Sequence, residues 1–292
     1  MGEALLVRKG GGVKVTVDGT EVDKAMNLKS KTAYIPVSAL PYTLENSHVV
    51  VFRGEIHILG GRNGSTQHYK YNSSEWVSVS TLPFAFYGGN AVVFDDKIHI
   101  FGSMSGSSYY KVHYVWDGNS WTQLSASPRD MTDNDRSVVL GSKIICFPSN
   151  FAYKFESETW TLIKTYPSGD YRYRPANVGG TIYYSKSAGI YTWSEATLAD
   201  TKVADPPSGY TNNACIIVEK SGDPYIVRAK SVNFDPIYRL EGTTPVQVAK
   251  NVVYMLQNAI KFNDRLTLVG SSATPFSEKL DHWEIADVYE EA

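Results

Sequence analysis

A short apolar run, a two-residue turn and a second apolar run (Val49–Phe52, Arg53-Gly54, Glu55–Ile58) recur six times along the chain. The later copies read "AVVF DD KIHI" from Ala91, "SVVL GS KIIC" from Ser137, "PANV GG TIYY" from Pro175, "CIIVEK SG DPYIV" from Cys215 and "AIKF ND RLTL" from Ala259. Two-residue loops of Gly, Asn, Asp or Ser supply the positive φ that matches strand twist, so turn chemistry and hydrophobicity argue for β-hairpins independently. From Ile56 through Ile98, Ile144, Ile182 and Tyr225 to Leu266 the steps are 42, 46, 38, 43 and 41 residues. In the first three units a further strand pattern ("HYKYN", "VHYVW", "FAYKF") precedes a Trp, which is followed seven residues later by Pro: Trp76 and Pro83, Trp121 and Pro128, Trp160 and Pro167. Four strands in such a period is the signature of a β-propeller blade.

The sixth unit ends on "KLDHWEI" with residues for a third strand but not for a fourth ending in Pro. Tyr34 to Pro41, "YIPVSALP", ends as "WVSVSTLP" (Trp76 to Pro83) does, with Tyr34 where the Trp stands. The expectation is an all-β six-bladed propeller over residues 33–292, closed by the N-terminal strand, which completes the last blade and spares both chain ends an open edge. Residues 1–32 belong to no blade. After Gly10-Gly11-Gly12, Val13, Val15 and Val17 alternate with polar residues up to the turn signal Asp18-Gly19, so a short β-hairpin is predicted there, too small to be a domain alone.

The apolar hairpin, Gly60-Gly61 after its second strand and the Trp on the fourth strand resemble the kelch repeat over roughly residues 33–292. The doubled glycine occurs in the first copy only; others read "FGS", "FPS", "YSK" and "VGS". The opening "ALLVRKGGG" and its valine-rich hairpin look like the start of bacteriophage and prophage structural proteins. That resemblance implies a virion protein made in the bacterial host cytoplasm, with residues 1–32 docking a tail fibre, baseplate or head appendage onto other virion proteins.

Lys+Arg 28 against Asp+Glu 30 leaves a net charge of -2, so no global field favours nucleic acid or an anionic bilayer. No stretch approaches a membrane span, and the opening residues lack the apolar run of a signal peptide, so neither membrane insertion nor standard export is expected. Cys146 and Cys215 lie in separate apolar strand patterns, which suits buried thiols better than a disulfide scaffold.

Kelch propellers include enzymes, so catalytic constellations matter. A site resembling galactose oxidase needs copper on two His and two Tyr, with a Cys joined to one Tyr; Cys146 and Cys215 have no visible Tyr partner. His57 and His99 repeat one position in successive units, and His68 and His113 each lie eight residues before the unit's Trp, which points to framework residues. Kelch-type sialic acid epimerases place an acid or base at the ring centre, where Glu45 and the arginines are the candidates here. No Ser-His-Asp elbow, phosphate loop or HExxH motif is present. The expectation is a non-enzymatic protein without cofactor or metal.

Links between blades open on one face of a propeller and can vary without touching the core. Here they read "YTLEN", "FAFYGGN", "RDMTDNDR", "SGDYRYR", "SGYTNN" and "YMLQN". The candidate ligand face comprises Glu45, Asn46, Tyr87, Asn90, Arg129, Arg136, Tyr171, Arg172, Tyr173, Arg174, Tyr210, Asn212 and Asn258. Tyr and Asn suit sugar rings and Arg grips a carboxylate or phosphate, so a host-surface glycan is the expected ligand, with a host protein the alternative. The bland reading of the arginines is surface ion pairing with neighbours such as Asp170. If the face is functional, Arg172→Ala with Arg174→Ala should abolish cell binding and leave stability nearly unchanged. The rival functions are an intracellular kelch adaptor and a kelch-type sugar enzyme. A homo-oligomer is compatible with all three.

Overall fold

The computed structural model describes residues 5–9, 12–17, 20–22, 28–36, 40–42, 44–62, 66–105, 108–129, 131, 137–186, 189–207, 210, 215–228, 235–250, 256–263, 265–270 and 282–291. It forms two compact units, Met1–Ala33 with Ala286–Ala292, and Tyr34–Ile285. Residues 286–292 thus belong to the first unit. In that unit β1 (Leu5–Lys9), β2 (Gly12–Val17) and β3 (Thr20–Val22) make a three-stranded antiparallel sheet, in which Val15 faces Leu6 and Val22. Strand β4 (Leu28–Pro36) follows.

The second unit is a propeller-like arrangement of small antiparallel sheets. The first is β5 (His48–Phe52), β6 (Glu55–Leu59), β7 (Gln67–Tyr71) and β8 (Trp76–Thr81). Next come β9 (Asn90–Phe94), β10 (Lys97–Ser105), β11 (Ser108–Trp116) and β12 (Trp121–Gln123). The third holds β13 (Ser137–Leu140), β14 (Lys143–Cys146), β15 (Phe151–Glu156) and β16 (Thr159–Thr165). The fourth holds β17 (Tyr173–Val178), β18 (Thr181–Lys186), β19 (Gly189–Ser194) and β20 (Ala199–Ala204). The fifth holds β21 (Cys215–Lys220), β22 (Asp223–Arg228), β23 (Pro236–Glu241) and β24 (Thr244–Lys250). Five blades are thus built from consecutive strands, where the repeat count predicts six. The remaining strands β25 (Leu256–Phe262), β26 (Arg265–Gly270) and β27 (His282–Glu291) form a sheet whose order ends on β4.

All six repeated hairpins pair in the register their turns predict. The turn residues Arg53 and Gly54, Asp95 and Asp96, Gly179 and Gly180, and Ser221 and Gly222 all have positive φ, the geometry of a twist-matched two-residue turn. Gly60 is required for a second reason. Its φ is +61°, and a Cβ there would lie 2.0 Å from the carbonyl oxygen of Phe86, in the next link.

The core is divided into patches, each lying between two sheets. Val50, Phe52 and Leu59 of the first sheet meet Ile98, Ile100 and Trp116 of the second. Val92 and Phe101 meet Ile144, Cys146 and Phe155, and Val138 and Ile145 meet Ile182, Tyr184 and Trp193. The repeated tryptophans serve these seams. Trp121 packs into the first-to-second patch and donates its indole N–H to Ser80 Oγ of the preceding sheet at 3.2 Å. Trp160 lies across from Phe101 and His113 of the second sheet.

Candidate ligand face

The links carry the expected binding residues, and the structure sorts them into three groups. In the first, side chains tie the framework. Asn90 is buried and its Oδ1 accepts a hydrogen bond from Ser137 Oγ at 2.8 Å, joining the second and third sheets. Asn258 Nδ2 donates to the Ser47 carbonyl at 3.2 Å. Tyr210 is buried, donates its hydroxyl to the Pro236 carbonyl and sits edge-on to Tyr238. Arg174 is buried with φ +47°, at the start of β17.

Arg172 is the second group and overturns the expectation for its side chain. It is fully buried, so it is not offered to a ligand from the face. Its Nε donates to Asp200 Oδ1 at 3.2 Å, its Nη2 pairs with Asp200 Oδ2 at 2.5 Å and with Asp170 Oδ2 at 3.3 Å, and its Nη1 donates to the Asp170 carbonyl at 3.1 Å. Its guanidinium carbon lies 3.4 Å from the Tyr166 ring centroid. Lys186 completes a balanced quartet of charges, 2.5 Å from Asp170 and 2.8 Å from Asp200. Burial works to raise the pKa of Asp200, but Lys186, Tyr184 and Arg172 outweigh it and hold the carboxylate below its ordinary range. The ion pair with Asp170 follows the bland sequence reading, but its arginine is fully buried and its carboxylate half-buried rather than superficial. Removing Arg172 would leave two half-buried carboxylates with Lys186 as their counter-charge and an unfilled interior position, so the double alanine change is expected to lower stability.

The third group is accessible. Tyr171 is 37% exposed and lies edge-on to Tyr173, with ring centroids 6.3 Å apart. The two tyrosines flank Arg172 in sequence, so the buried quartet fixes the backbone between them. Arg129 covers the Phe151 ring at 4.1 Å, and Glu45 binds Arg62 at 3.0 Å on the surface. Tyr87 is anchored through its backbone N–H to Ser103 Oγ at 3.1 Å, and Ser103 Oγ donates to the Ala85 carbonyl at 2.6 Å. The carbonyl of Asn46, whose φ is +54°, accepts from the Gly88 N–H at 3.4 Å. Arg136 and Asn212 lie outside the described residues.

The polar residues that sequence spacing missed are Asp200, Lys186 and Ser103. Asp200 lies 28 residues beyond Arg172, on the outer strand of its sheet, and no local motif links the two. Ser103 carried a weak signal, as the "S" of "FGS".

The repeated histidines meet each other. His57 Nδ1 lies 2.8 Å from His68 Nε2, and His99 Nδ1 lies 3.0 Å from His113 Nε2. His68 Nδ1 also contacts Ser80 Oγ at 3.2 Å. If His57 donates to His68 and His68 to Ser80, every short contact in that row is satisfied with both rings neutral, and only an acceptor, His57 Nε2, goes unpaired. Burial above all pushes His57 and His99 down to about 4, and His68 and His113 down to about 3. Burial likewise pushes the thiols of Cys146 and Cys215 up to about 12, which makes both poor nucleophiles. Among the described residues no three His, Cys, Asp or Glu side chains converge as a metal site.

The fold and this face define a propeller-like protein whose repeated histidines pair with each other, whose buried Arg172 is held by carboxylates and whose inter-blade links carry aromatic rings. No protein-family model matches the chain, and no curated protein matches its sequence. Among solved structures, that of YjhT resembles it with a TM-score of 0.68, covering 87% of this chain and 99% of that one at 12% sequence identity. The likeness concerns the fold alone.

Proposed function

We propose that the protein is a non-enzymatic attachment module: a kelch-like propeller, anchored to a phage virion through residues 1–32 and presenting its link face to a host-surface glycan. The observation that carries the binding half is the Tyr171 and Tyr173 pair, partly open rings lying edge-on to each other on either side in sequence of Arg172, which is tied into the charge quartet. Such a pair offers a sugar ring apolar surface and hydroxyls at little entropic cost, because its backbone is already fixed. Arg129 and Tyr87 extend the same set of links.

The propeller of this proposal has six blades and closes on itself. Several facts support that reading. The first strands touch in sequence, β5 with β9, β9 with β13, β13 with β17, β17 with β21, β21 with β25, and β25 with β5. An apolar patch joins Val49, Ile56 and Ile58 to Phe262 and Val269, and the Asn258 hydrogen bond to Ser47 bridges 211 residues of sequence at the same seam. The sheet order β25-β26-β27-β4 supports closure by an N-terminal strand, with β4 sharing Tyr34–Pro36 with the "YIPVSALP" fragment. The separate β1-β2-β3 sheet supports the anchoring half.

Binding of the purified full chain to bacterial cells, and to phage particles lacking it, tests both halves. The expected result is that Tyr171→Ala with Tyr173→Ala loses cell binding at unchanged melting temperature, while removal of residues 1–32 loses particle binding only. Cell binding that survives the double substitution refutes the face; particle binding that survives the truncation refutes the anchor.

A further inference from the structure

A cleft of about 710 Å³ lies between the third and fourth sheets, at the turns joining their first and second strands, away from the inter-blade links. Its hydroxyl lining comes from Ser142, Thr181, Thr192, Ser194 and Thr201, four of them on the fourth sheet. Leu140 and the buried Trp193 supply its apolar floor. The seam beneath is braced. Asn177 Nδ2 donates to the Val139 carbonyl at 2.9 Å across the two sheets, and Asn177 Oδ1 accepts from the Gly180 N–H at 2.9 Å. Trp193 is fixed by its indole N–H, which donates to the Tyr166 hydroxyl at 2.8 Å. Lys143 of the third sheet reaches across to Glu195 of the fourth at 2.6 Å, a strap over the cleft.

The charges indicate what such a cleft would accept. Its cation, Lys143, already stands between Glu195 and Glu156, the latter at 3.9 Å, and the hydrogen bond it donates to Glu195 raises its pKa. An anionic ligand would have to approach two carboxylates to reach one ammonium group, and a cation would compete with that ammonium for Glu195. A neutral ligand meets no such opposition. Five hydroxyl side chains offer donors and acceptors, with Thr192 Oγ1 already donating to the Thr201 carbonyl at 3.5 Å and Ser194 Oγ accepting from the Thr197 N–H at 3.4 Å, and the turns at Gly141 and Gly180 leave open space, since a Cβ at either would meet nothing within 4 Å. The volume lies within the range of small-molecule sites.

We propose that this inter-sheet cleft is a second binding site, for a neutral oligosaccharide, separate from the Tyr171 and Tyr173 face and independent of the function proposed above. The test is a titration of the isotopically labelled full chain, followed through its backbone amide resonances, with maltotriose, chitotriose and galactobiose, and with glucose 6-phosphate as the charged comparison. Saturable shifts at Gly141, Gly180, Thr181 and Glu195 are expected with at least one neutral saccharide. Thr181→Trp fills the cleft from an exposed strand position and should weaken that binding at least about tenfold; Ser194→Trp serves if the first variant does not fold. Absence of shifts with all three saccharides overturns the proposal. So do stronger shifts with glucose 6-phosphate, or binding unaffected by the filling variant. Shifts confined to Tyr171 and Tyr173 overturn it as well, while supporting the face described above.

Discussion

Lowering the pH should unfold this protein through its paired histidines. His57, His68, His99 and His113 are neutral in the folded state, with burial as the chief cause, and their folded pKa values of about 4 and about 3 lie below the ordinary 6.5. The unfolded chain therefore binds more protons than the folded one in the window between. The stability these residues contribute is fully present above pH 6.5 and is lost as pH falls towards the folded values. Each histidine costs about 1.4 kcal/mol per pH unit once the unfolded state is protonated, so the four together remove about 8 kcal/mol by roughly pH 5. A domain of this kind has roughly 5–15 kcal/mol in total, so the loss is decisive. Aspartates such as Asp200 have lowered pKa values and titrate below this window. The assay is urea unfolding at a series of pH values, with far-UV circular dichroism as the signal. Replacing one pair, His57→Gln with His68→Gln, keeps hydrogen-bonding groups but removes two titrating sites, and should halve the slope of stability against pH. Equal slopes in the two proteins, or a wild-type slope of about one proton or less, would refute the reasoning.

Arg172→Met should cost about 1–3 kcal/mol, because the half-buried Asp170 and Asp200 would keep only Lys186 as a counter-charge; thermal melting measures it, and an unchanged melting temperature would count against the quartet. Gly60→Ala combines a positive φ with a backbone clash against Phe86 and should cost at least about 2 kcal/mol, whereas Gly54→Ala, with φ +76° but open space, should cost less. Cys146 and Cys215 should resist iodoacetamide near neutral pH in the folded protein and react in urea; modification of either at the rate of a free thiol would contradict their burial.

Strands, hairpins and the seam tryptophans were legible in the chain because their determinants are local. Alternation with a period of two marks a strand, a pair of residues tolerant of positive φ marks its turn, and a regular step between copies marks the sheet. The histidine positions were legible too, as repeated framework residues, but that His57 meets His68 follows only from the adjacent registers of β6 and β7. The candidate face was read less well. The segment "DYRYR" presents two tyrosines and two arginines with no sequence difference to say which points inward.

Local residue patterns were enough to specify the repeating hairpins, their turn geometry and the links in which a ligand face could lie. Tertiary structure alone decided that Arg172 turns in while Tyr171 stays partly open, and that Asn90 and Asn258 fasten sheets. The reason is electrostatic and non-local. A guanidinium enters the interior only where counter-charges are waiting, and those of Arg172 come in large part from Asp200, 28 residues further along the chain.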